Sequence, residues 1–179
     1  MNIEIVTCAV TGSDFAERFE PFKSQFFAVL AKSHGGEYYG DDYHFRRIVE
    51  GRSTLYIATT GSVVVGVSYV KTSLRRGATA VFPEQYRRLG IAEKMVLASL
   101  YDFPQQYTIV NTSNTAMISL LKKVGFKEAT SVEEIKSIAK DEFSHLIHFE
   151  TTVGHILFQR YSIKRATVKE HVMMLHTFK

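Results

Sequence analysis

One stretch of the chain constrains the fold more than any other, because a strand ends at a proline and a helix begins only a few residues later. The stretch 81–97 reads VFPEQYRRLGIAEKMVL. A β-type run over 78–82 ends at Pro83, and apolar residues recur at helical spacing from Ile91. The first N–H groups of a helix have no intrahelical partner, and the helix dipole adds partial positive charge there. The sequence therefore predicts an anion site where this helix begins.

The loop between Pro83 and Gly90 is polar and basic, which suits a negatively charged ligand. Gly90 lets the backbone approach a ligand closely, because glycine carries no Cβ. Ala92 keeps the next turn narrow, and Arg87 and Arg88 add full positive charges. The same residues also fit a plain strand–turn–helix connection with solvated arginines, so the rest of the chain has to decide between the two interpretations.

The composition indicates a single globular domain with a mild positive charge. The 179 residues carry a net charge of +4, which suits an anionic small molecule. No block of like charges is present, which argues against nucleic acid as a partner. The single cysteine, Cys8, excludes an intrachain disulfide, and the histidines lack zinc spacing, which argues against a metal site. Neither a signal pattern nor an apolar run long enough to cross a bilayer is present, which predicts a cytoplasmic protein without a membrane partner.

Hydrophobic periodicity predicts strands and helices in an order typical of an α+β domain. Asp41 or Asp42 is expected to cap the second helix, Thr112 or Ser113 to cap the fourth, and Pro21 to kink or restart the first. Together the elements predict one mixed, mostly antiparallel central sheet flanked by helices. Strands are predicted over 2–9, 54–59, 63–71, 78–82, 107–111, 156–162 and 168–178. Helices are predicted over 15–30, 41–50, 90–102, 113–124 and 131–146 and, as an alternative to part of the last strand, 171–175.

Two motifs, found in this order, resemble the GNAT acetyltransferase superfamily. The first is that family's coenzyme A pyrophosphate loop, Gln/Arg-x-x-Gly-x-Gly/Ala, which residues 87–92 match as RRLGIA. The second is a frame that begins at Asn114 and ends with the dipeptide Gly125-Phe126. The order of the predicted strands and helices is also that of the GNAT fold.

The resemblance extends over residues 2–128 and implies a GNAT-like sheet with a V-shaped splay between strands four and five. The whole of 1–179 is expected to form one acyltransferase domain, with a family-atypical insertion at about 129–152. The cofactor implied is acetyl-CoA, whose pantetheine arm would bind the backbone of strand four and whose pyrophosphate would bind the loop. The implied cofactor-binding residues are Ala80, Val81, Phe82, Arg87, Arg88, Leu89, Gly90, Ile91, Ala92, Glu93 and Asn114. Asn114 fits equally well as a helix-start residue that bonds its own backbone.

The reaction implied is transfer of an acetyl group to the primary amine of a small molecule by direct attack on the thioester. The backbone N–H of Phe82 is expected to polarise the thioester carbonyl. Glu84 is the nearest carboxylate to strand four and the candidate base, with a chain of waters as the alternative. Leu121 stands where many family members carry a tyrosine that is thought to protonate the leaving thiolate. Leucine cannot do so, which leaves departure as a thiolate, or a proton from water, Tyr101 or Ser119.

The acceptor amine is expected to bind the connection between the first two helices, together with the C-terminal strands. The connection carries carboxylates and phenol rings that can hold a cation. The candidate residues are Glu37, Tyr38, Tyr39, Asp41, Asp42 and Tyr43. The same segment also fits a plain loop with a helix cap. Two alternative functions stay open: a non-catalytic acyl-CoA-binding module, and acylation of a protein lysine or an aminoacyl-tRNA. A homodimer is compatible with the sequence.

Overall fold

The protein divides into two compact units, Met1–Phe103 and Pro104–Lys179, each with its own strands and helices. A computed structural model describes residues 2–33, 38–72, 76–81, 83–129, 148–152, 155–161 and 168–176. Three subjects of the sequence-based predictions lie outside the described residues: the helix over 131–146, Phe82 and Glu37.

Four strands form the antiparallel sheet of the first unit, in the order β1-β2-β3-β4. Both β2 and β3 are buried along almost their whole length. Helices cover both faces of the sheet, which explains why these two strands read as apolar runs and not as alternating patterns. The strands are β1 (Glu4–Ala9), β2 (Thr54–Thr60), β3 (Val63–Lys71) and β4 (Arg76–Val81).

Three helices cover one face of this sheet: α1 (Phe15–Phe19), α2 (Lys23–Ser33) and α3 (Asp41–Glu50). Pro21 lies in a 3-10 turn, Glu20–Phe22, between α1 and α2. Proline fits the first turn of a helical segment because its missing N–H would have no partner there. The prediction that Pro21 interrupts the first helix is therefore confirmed.

Aromatic rings fill the core between these helices and the sheet. The ring of Phe19 meets Phe26 edge-on with a centroid distance of 5.3 Å, and Phe26 meets Phe27 edge-on at 5.5 Å. Edge-to-face contacts of this kind add about 0.5–1.5 kcal/mol to the free energy gained by burial. Leu55 and Ile57 of β2 complete the cluster and are fully buried.

Gln25 attaches α2 to the end of the β2–β3 hairpin. Its side-chain amide donates to the Ser62 carbonyl at 3.1 Å, and its amide oxygen accepts from the Val64 N–H at 2.9 Å. Gly61 makes the turn with a φ of 57°, a left-handed conformation that glycine adopts without a steric penalty. One polar side chain therefore fixes both the hairpin and the helix above it.

A single helix, α4 (Ile91–Asp102), covers the opposite face. Ile91 and Met95 are buried against Tyr56 and Val65 of the sheet. The apolar positions predicted for this helix therefore do face the core. The helix begins one residue later than predicted, because Gly90 is its N-cap residue.

The second unit is built on a sheet in the order β5-β9-β8-β7, with β6 also paired to β9. Every described pairing in it is antiparallel. Its one described helix is α5 (Thr115–Lys123), whose Leu121 side chain is buried in the core with Phe126 and Met174. The strands are β5 (Gln106–Asn111), β6 (Lys127–Glu128), β7 (His148–Thr152), β8 (His155–Tyr161) and β9 (Val168–His176).

The frame from Asn114 to Phe126 contains α5 and the residues at both of its ends. The side chain of Asn114 accepts the N–H of Met117 at 3.2 Å and so caps the N-terminus. At the other end Gly125 has a φ of 98° and Phe126 donates its N–H to the Leu121 carbonyl at 2.9 Å, which is a Schellman motif. Asn114 thus begins α5, and Gly125 and Phe126 end it.

Several sequence-based predictions of local structure are wrong. The cap of α3 is Gly40, where Asp41 or Asp42 was predicted. The cap of α5 is Asn114, where Thr112 or Ser113 was predicted, and the alternative role of Asn114 as a helix-start residue is confirmed. Residues 171–175 belong to strand β9, so the helical alternative there is excluded. Strand β4 begins at Arg76, two residues before the predicted start, because its pairing with β3 extends that far. Strand β7 was missed within the segment assigned to an insertion.

Candidate functional site

The loop between β4 and α4 is shaped by its own backbone hydrogen bonds. Pro83 opens a 3-10 turn, Glu84–Tyr86, in which Tyr86 donates its N–H to the Pro83 carbonyl at 3.0 Å. Arg87 donates its N–H to the Glu84 carbonyl at 2.9 Å and then turns to an extended conformation. The chain is thereby directed from the end of the sheet to the beginning of the helix.

The N-cap residue of α4 makes no side-chain capping hydrogen bond within the described part of the chain. Gly90 is the N-cap residue, in the left-handed conformation with φ 75° and ψ 6°, and its carbonyl accepts the N–H of Lys94 at 2.9 Å. Among the residues that the structure describes, none has an atom within 4 Å of a Cβ built on Gly90. The backbone N–H groups of the first turn, Ile91 to Glu93, therefore begin at an exposed glycine with open space beside it, which is the geometry of an anion-binding helix start.

The two arginines of the loop differ in their surroundings. The guanidinium of Arg87 lies 3.0 Å from a carboxylate oxygen of Glu84, and the side chains are 52% and 74% exposed. A pair this exposed contributes at most about 1 kcal/mol to stability, so a ligand phosphate can replace the carboxylate. Arg88 is exposed and has a φ of 63°, an uncommon conformation for a residue other than glycine.

The first turn of α4 lies directly on the backbone of β3 at Gly66. A Cβ placed on Gly66 would come within 2.8 Å of the Met95 methyl and 3.0 Å of an Ile91 methyl. Both distances are shorter than ordinary van der Waals contact, so a larger residue at position 66 would require the Met95 and Ile91 side chains to shift. The sequence analysis did not identify Gly66, because nothing local to a strand shows which helix will pack on it.

The other end of α4 is attached to the sheet by a buried phenol. The Tyr56 hydroxyl of β2 donates to a carboxylate oxygen of Asp102 at 2.8 Å, and Tyr56 has no exposed surface. Burial, and then the hydrogen bond to Asp102, raise the pKa of the Tyr56 phenol above its usual value of 10.0. This contact was also missed, because the two residues lie 46 positions apart.

Comparisons with known proteins agree with this architecture. No family model matches the chain. An N-alpha-acetyltransferase of Sulfurisphaera tokodaii is 36% identical over 66 residues, which are 34% of this chain and 40% of that protein. An N-acetyltransferase of Staphylococcus aureus is 13% identical with a TM-score of 0.59 and full coverage of both chains. The ribosomal-protein-S18-alanine N-acetyltransferase of Escherichia coli is 14% identical with a TM-score of 0.60, over 98% of this chain and 96% of its own.

The chain has the GNAT fold. The predicted resemblance and the predicted fold class are thereby confirmed, since the similar structures carry the helix-flanked antiparallel sheet of GNAT acetyltransferases. A further structure with this fold, the PaiA N-acetyltransferase of Thermoplasma acidophilum, was solved in complex with coenzyme A. It is 13% identical with a TM-score of 0.53, over 99% of this chain and all of its own.

In this GNAT-fold chain the predicted cofactor residues of the first unit lie in one continuous segment, from Ala80 on β4 to Glu93 on α4. The Ala80 side chain packs on the α1–α3 face of the sheet and the Val81 side chain on the α4 face. Leu89 is 49% exposed beside Gly90, although it is apolar. Asn114 belongs to the second unit, where its side chain caps α5.

Leu121 faces the core of the second unit and is 2% exposed. The two alternative proton donors are both exposed: Tyr101 on α4 is 90% exposed, and Ser119 lies on the outer side of α5. Leu121 is therefore a packing residue, and its side chain has no proton to give.

Three of the predicted acceptor residues, Tyr38, Tyr39 and Tyr43, form an aromatic cluster with His44 of α3. The Tyr38 ring stacks on the His44 ring with centroids 4.7 Å apart, and Tyr43 meets His44 edge-on at 5.4 Å. Tyr39 contacts Tyr43 at 5.1 Å. The Tyr38 hydroxyl donates to Asp41, and burial followed by this hydrogen bond raises the pKa of the Tyr38 phenol. Asp41 was predicted as part of this group, whereas His44 was not.

Asp42 lies in the first turn of α3, where its negative charge interacts favourably with the helix dipole.

Within the residues that the structure describes, no group of three or more histidine, cysteine, aspartate or glutamate side chains is arranged to hold a metal ion. Among the same residues, no helix has the length and apolar character needed to cross a membrane.

Proposed function

We propose that the chain transfers an acetyl group from acetyl-CoA to the primary amine of a small molecule. The observation that carries the proposal is the uncapped start of α4 at Gly90, with open space beside it, in a GNAT fold. The segment that is similar to the curated relative spans 40% of that protein, so activity is inferred here from the site.

The pyrophosphate of coenzyme A is the anion that we assign to the start of α4. The N–H groups of Ile91, Ala92 and Glu93 would donate to phosphate oxygens, and the helix dipole favours negative charge at the same place. Arg87 would add a charge-assisted hydrogen bond once it exchanges Glu84 for a phosphate oxygen. Leu89 is exposed beside this site and would cover the apolar part of the bound cofactor.

Strand β4 leads directly into this loop and would hold the pantetheine arm. An extended chain can bind the backbone of a strand through N–H and C=O groups, as an added strand does. Ala80 and Val81 provide such groups, and their side chains are anchored on opposite faces of the sheet. Phe82 follows them in sequence, and we keep its N–H as the proposed donor to the thioester carbonyl.

In the proposed reaction the amine nitrogen attacks the thioester carbon, the C–S bond breaks, and coenzyme A leaves as a thiolate. The amine must lose a proton on the way. Glu84 remains the proposed base among the carboxylates near β4, but it must first leave Arg87, to which it is paired at 3.0 Å. A phosphate bound to Arg87 would release Glu84, so cofactor binding and activation of the base would be coupled. Removal of the proton by water is the alternative.

The leaving thiolate needs no proton from the protein if water supplies one. Leu121 is buried in the core and cannot provide it. The same observation favours one other function, a GNAT-fold module that binds acyl-CoA without turnover. The two functions differ in catalysis and share the cofactor site.

The acceptor that we propose is a cationic amine, held by the aromatic cluster around His44. Tyr38, Tyr39 and Tyr43 are partly exposed, and a free tyrosine face attracts a cation by about 0.5–1 kcal/mol. Asp41 and Asp42 add negative charge at the same end of α3. A protein α-amine is the second candidate acceptor. The relative named above is an N-alpha-acetyltransferase, and one of the proteins with a similar structure is a ribosomal-protein-S18-alanine N-acetyltransferase.

Titration calorimetry with coenzyme A tests the cofactor site, and a thiol-release assay with acetyl-CoA tests the reaction. The acceptor panel should contain small diamines, amino acids, peptides with a free α-amine, and peptides with a blocked α-amine and one lysine. Release of thiol with the small amines alone supports the proposal, and release with the free α-amine peptides alone favours the second candidate.

Two other outcomes are decisive. If the folded protein does not bind coenzyme A, the proposed function is wrong. If it binds coenzyme A tightly and releases no thiol with any acceptor, the non-catalytic module is the correct function. The double variant Arg87→Glu, Gly90→Glu, which places two carboxylates at the proposed phosphate site, should abolish binding while circular dichroism stays unchanged.

A further inference from the structure

A row of hydroxyl side chains crosses the sheet of the first unit on the face that α4 covers. Thr7, Tyr56, Ser68 and Thr79 are register partners on β1, β2, β3 and β4 in turn. Directly paired residues of antiparallel strands have side chains on the same face, and Tyr56 contacts α4 on this one. The row ends at Thr79, on the strand to which the proposed function assigns the pantetheine arm.

The hydrogen bonds of Ser68 determine what Thr79 can offer. The Ser68 Oγ atom lies 2.9 Å from the Ala78 carbonyl oxygen and 2.9 Å from the Thr79 Oγ1 atom. Ser68 has a single hydroxyl proton, and the Ala78 carbonyl can only accept. Both contacts are hydrogen bonds only if Ser68 donates to Ala78 and Thr79 donates to Ser68. The opposite arrangement would form one bond and leave the other contact without a proton.

Burial decides in favour of the first arrangement. Ser68 is 2% exposed, so water cannot replace a bond that it fails to make. An unmade bond to a buried polar group is costly, whereas each bond that is made contributes about 0.5–1.5 kcal/mol. The Thr79 proton is therefore committed to Ser68. Among the described residues no other hydrogen bond to Thr79 Oγ1 is present, and Thr79 is partly exposed.

We propose that Thr79, with its proton held by Ser68, is a positioning residue that accepts a hydrogen bond from an N–H of the substrates. This inference rests on the proposed function. Such an N–H exists in the amides of the pantetheine arm and in the acceptor amine. Because the Thr79 hydroxyl can accept a hydrogen bond and cannot donate one, it would bind an N–H group of a substrate and would not bind a carbonyl oxygen. With the amine as donor, the bond would direct one N–H toward Thr79 and leave the nitrogen lone pair free to attack.

The plain alternative is that Thr79 is only a β-branched residue that suits a strand. The variant Thr79→Val separates the two interpretations, because valine keeps the shape and the strand preference and removes the hydroxyl. Ser68 keeps its bond to Ala78 in this variant, so no buried donor is left without a partner. Thr79→Ser restores the hydroxyl and is the matched control.

The experiment measures the Kd for coenzyme A by calorimetry and the KM and kcat for the best amine, for the wild type, Thr79→Val and Thr79→Ser. Loss of one hydrogen bond of this kind should change the affected constant roughly threefold to tenfold. A weaker Kd for coenzyme A identifies the pantetheine amide as the donor. An unchanged Kd with a higher amine KM or lower kcat identifies the acceptor amine. Thr79→Ser should restore either constant to within about twofold of the wild type.

The inference is overturned if folded Thr79→Val has the same constants as the wild type while the wild type binds coenzyme A. If the wild type does not bind coenzyme A, the proposed function itself is wrong and this inference is wrong with it. Should Thr79→Val fail to fold, Thr79→Ala also removes the hydroxyl and should show the same change. A Ser68→Ala variant frees the Thr79 proton without removing the acceptor oxygen, so a smaller change than that of Thr79→Val is expected.

Discussion

Gly90 and Gly61 form a natural pair for testing whether the start of α4 binds an anion. Both glycines have left-handed backbones, with φ 75° and 57°, and a Cβ on either would have no atom of the described residues within 4 Å. Replacing either by aspartate therefore creates no clash, and the left-handed conformation costs each variant roughly 1 kcal/mol or less, since aspartate tolerates it better than most residues. The two variants carry the same charge and differ in where it is placed.

The expected effect of Gly90→Asp follows from electrostatics at the proposed phosphate site. Two unit charges about 5 Å apart repel by about 0.8 kcal/mol in bulk water and by about 3 kcal/mol at an effective dielectric constant near 20. These energies correspond to about a fourfold and more than a hundredfold loss of affinity for each phosphate charge. The pyrophosphate carries more than one, so we expect coenzyme A to bind Gly90→Asp at least roughly tenfold more weakly.

The two variants should differ in stability in the opposite sense, with Gly90→Asp the more stable of the two. A carboxylate in the first turn of a helix adds about 0.3–1 kcal/mol of stability, so Gly90→Asp should unfold no more easily than Gly61→Asp. Calorimetry with coenzyme A and thermal unfolding, both at low and moderate salt, provide the measurements. If the two variants bind coenzyme A equally well, then the start of α4 is not the phosphate site and the reasoning from the loop is wrong.

Three further predictions concern other parts of the molecule. Gly125→Ala should destabilise the protein by about 1–2 kcal/mol in urea unfolding, because alanine is strained at a φ of 98°. Because the folded state raises the pKa of Tyr56, its contribution to stability is complete below pH 10 and is lost as the pH rises further. Tyr56→Phe should therefore flatten the alkaline fall of the melting temperature, and an unchanged slope would assign that fall to other groups. Cys8 is buried and its pKa is raised, chiefly by burial, so it should react with a thiol reagent far more slowly in the native protein than in denaturant.

Much of the fold could be predicted from local patterns. The bounds of β3 agree residue for residue, because Thr60-Gly61-Ser62 is a strong turn signal at one end. The break at Pro21 follows from the chemistry of proline. The caps were predicted less well, since Asp41 and Asp42 are good capping residues by type, but the chain enters α3 through the left-handed Gly40.

The candidate site divides in the same way. The loop and Gly90 are local in sequence, and they were predictable from a strand that ends before a helix begins. The hydrogen bond between Tyr56 and Asp102 and the contact of Met95 with Gly66 join residues that are far apart in sequence. Residue spacing in a single sequence therefore cannot predict them. The pairing of Glu84 with Arg87 at three residues' separation is the exception: it was readable from the sequence and was overlooked.

Gly66 restricts which residues related chains can carry where α4 packs on β3. Any side chain at position 66 would push against Ile91 and Met95, so an enlargement on the strand must be matched by a reduction on the helix. In related chains the volume at position 66 should therefore vary inversely with the volumes at positions 91 and 95. The spacing between sheet and helix thus depends on the combined volume at three positions, so a change at one of them requires a compensating change at another.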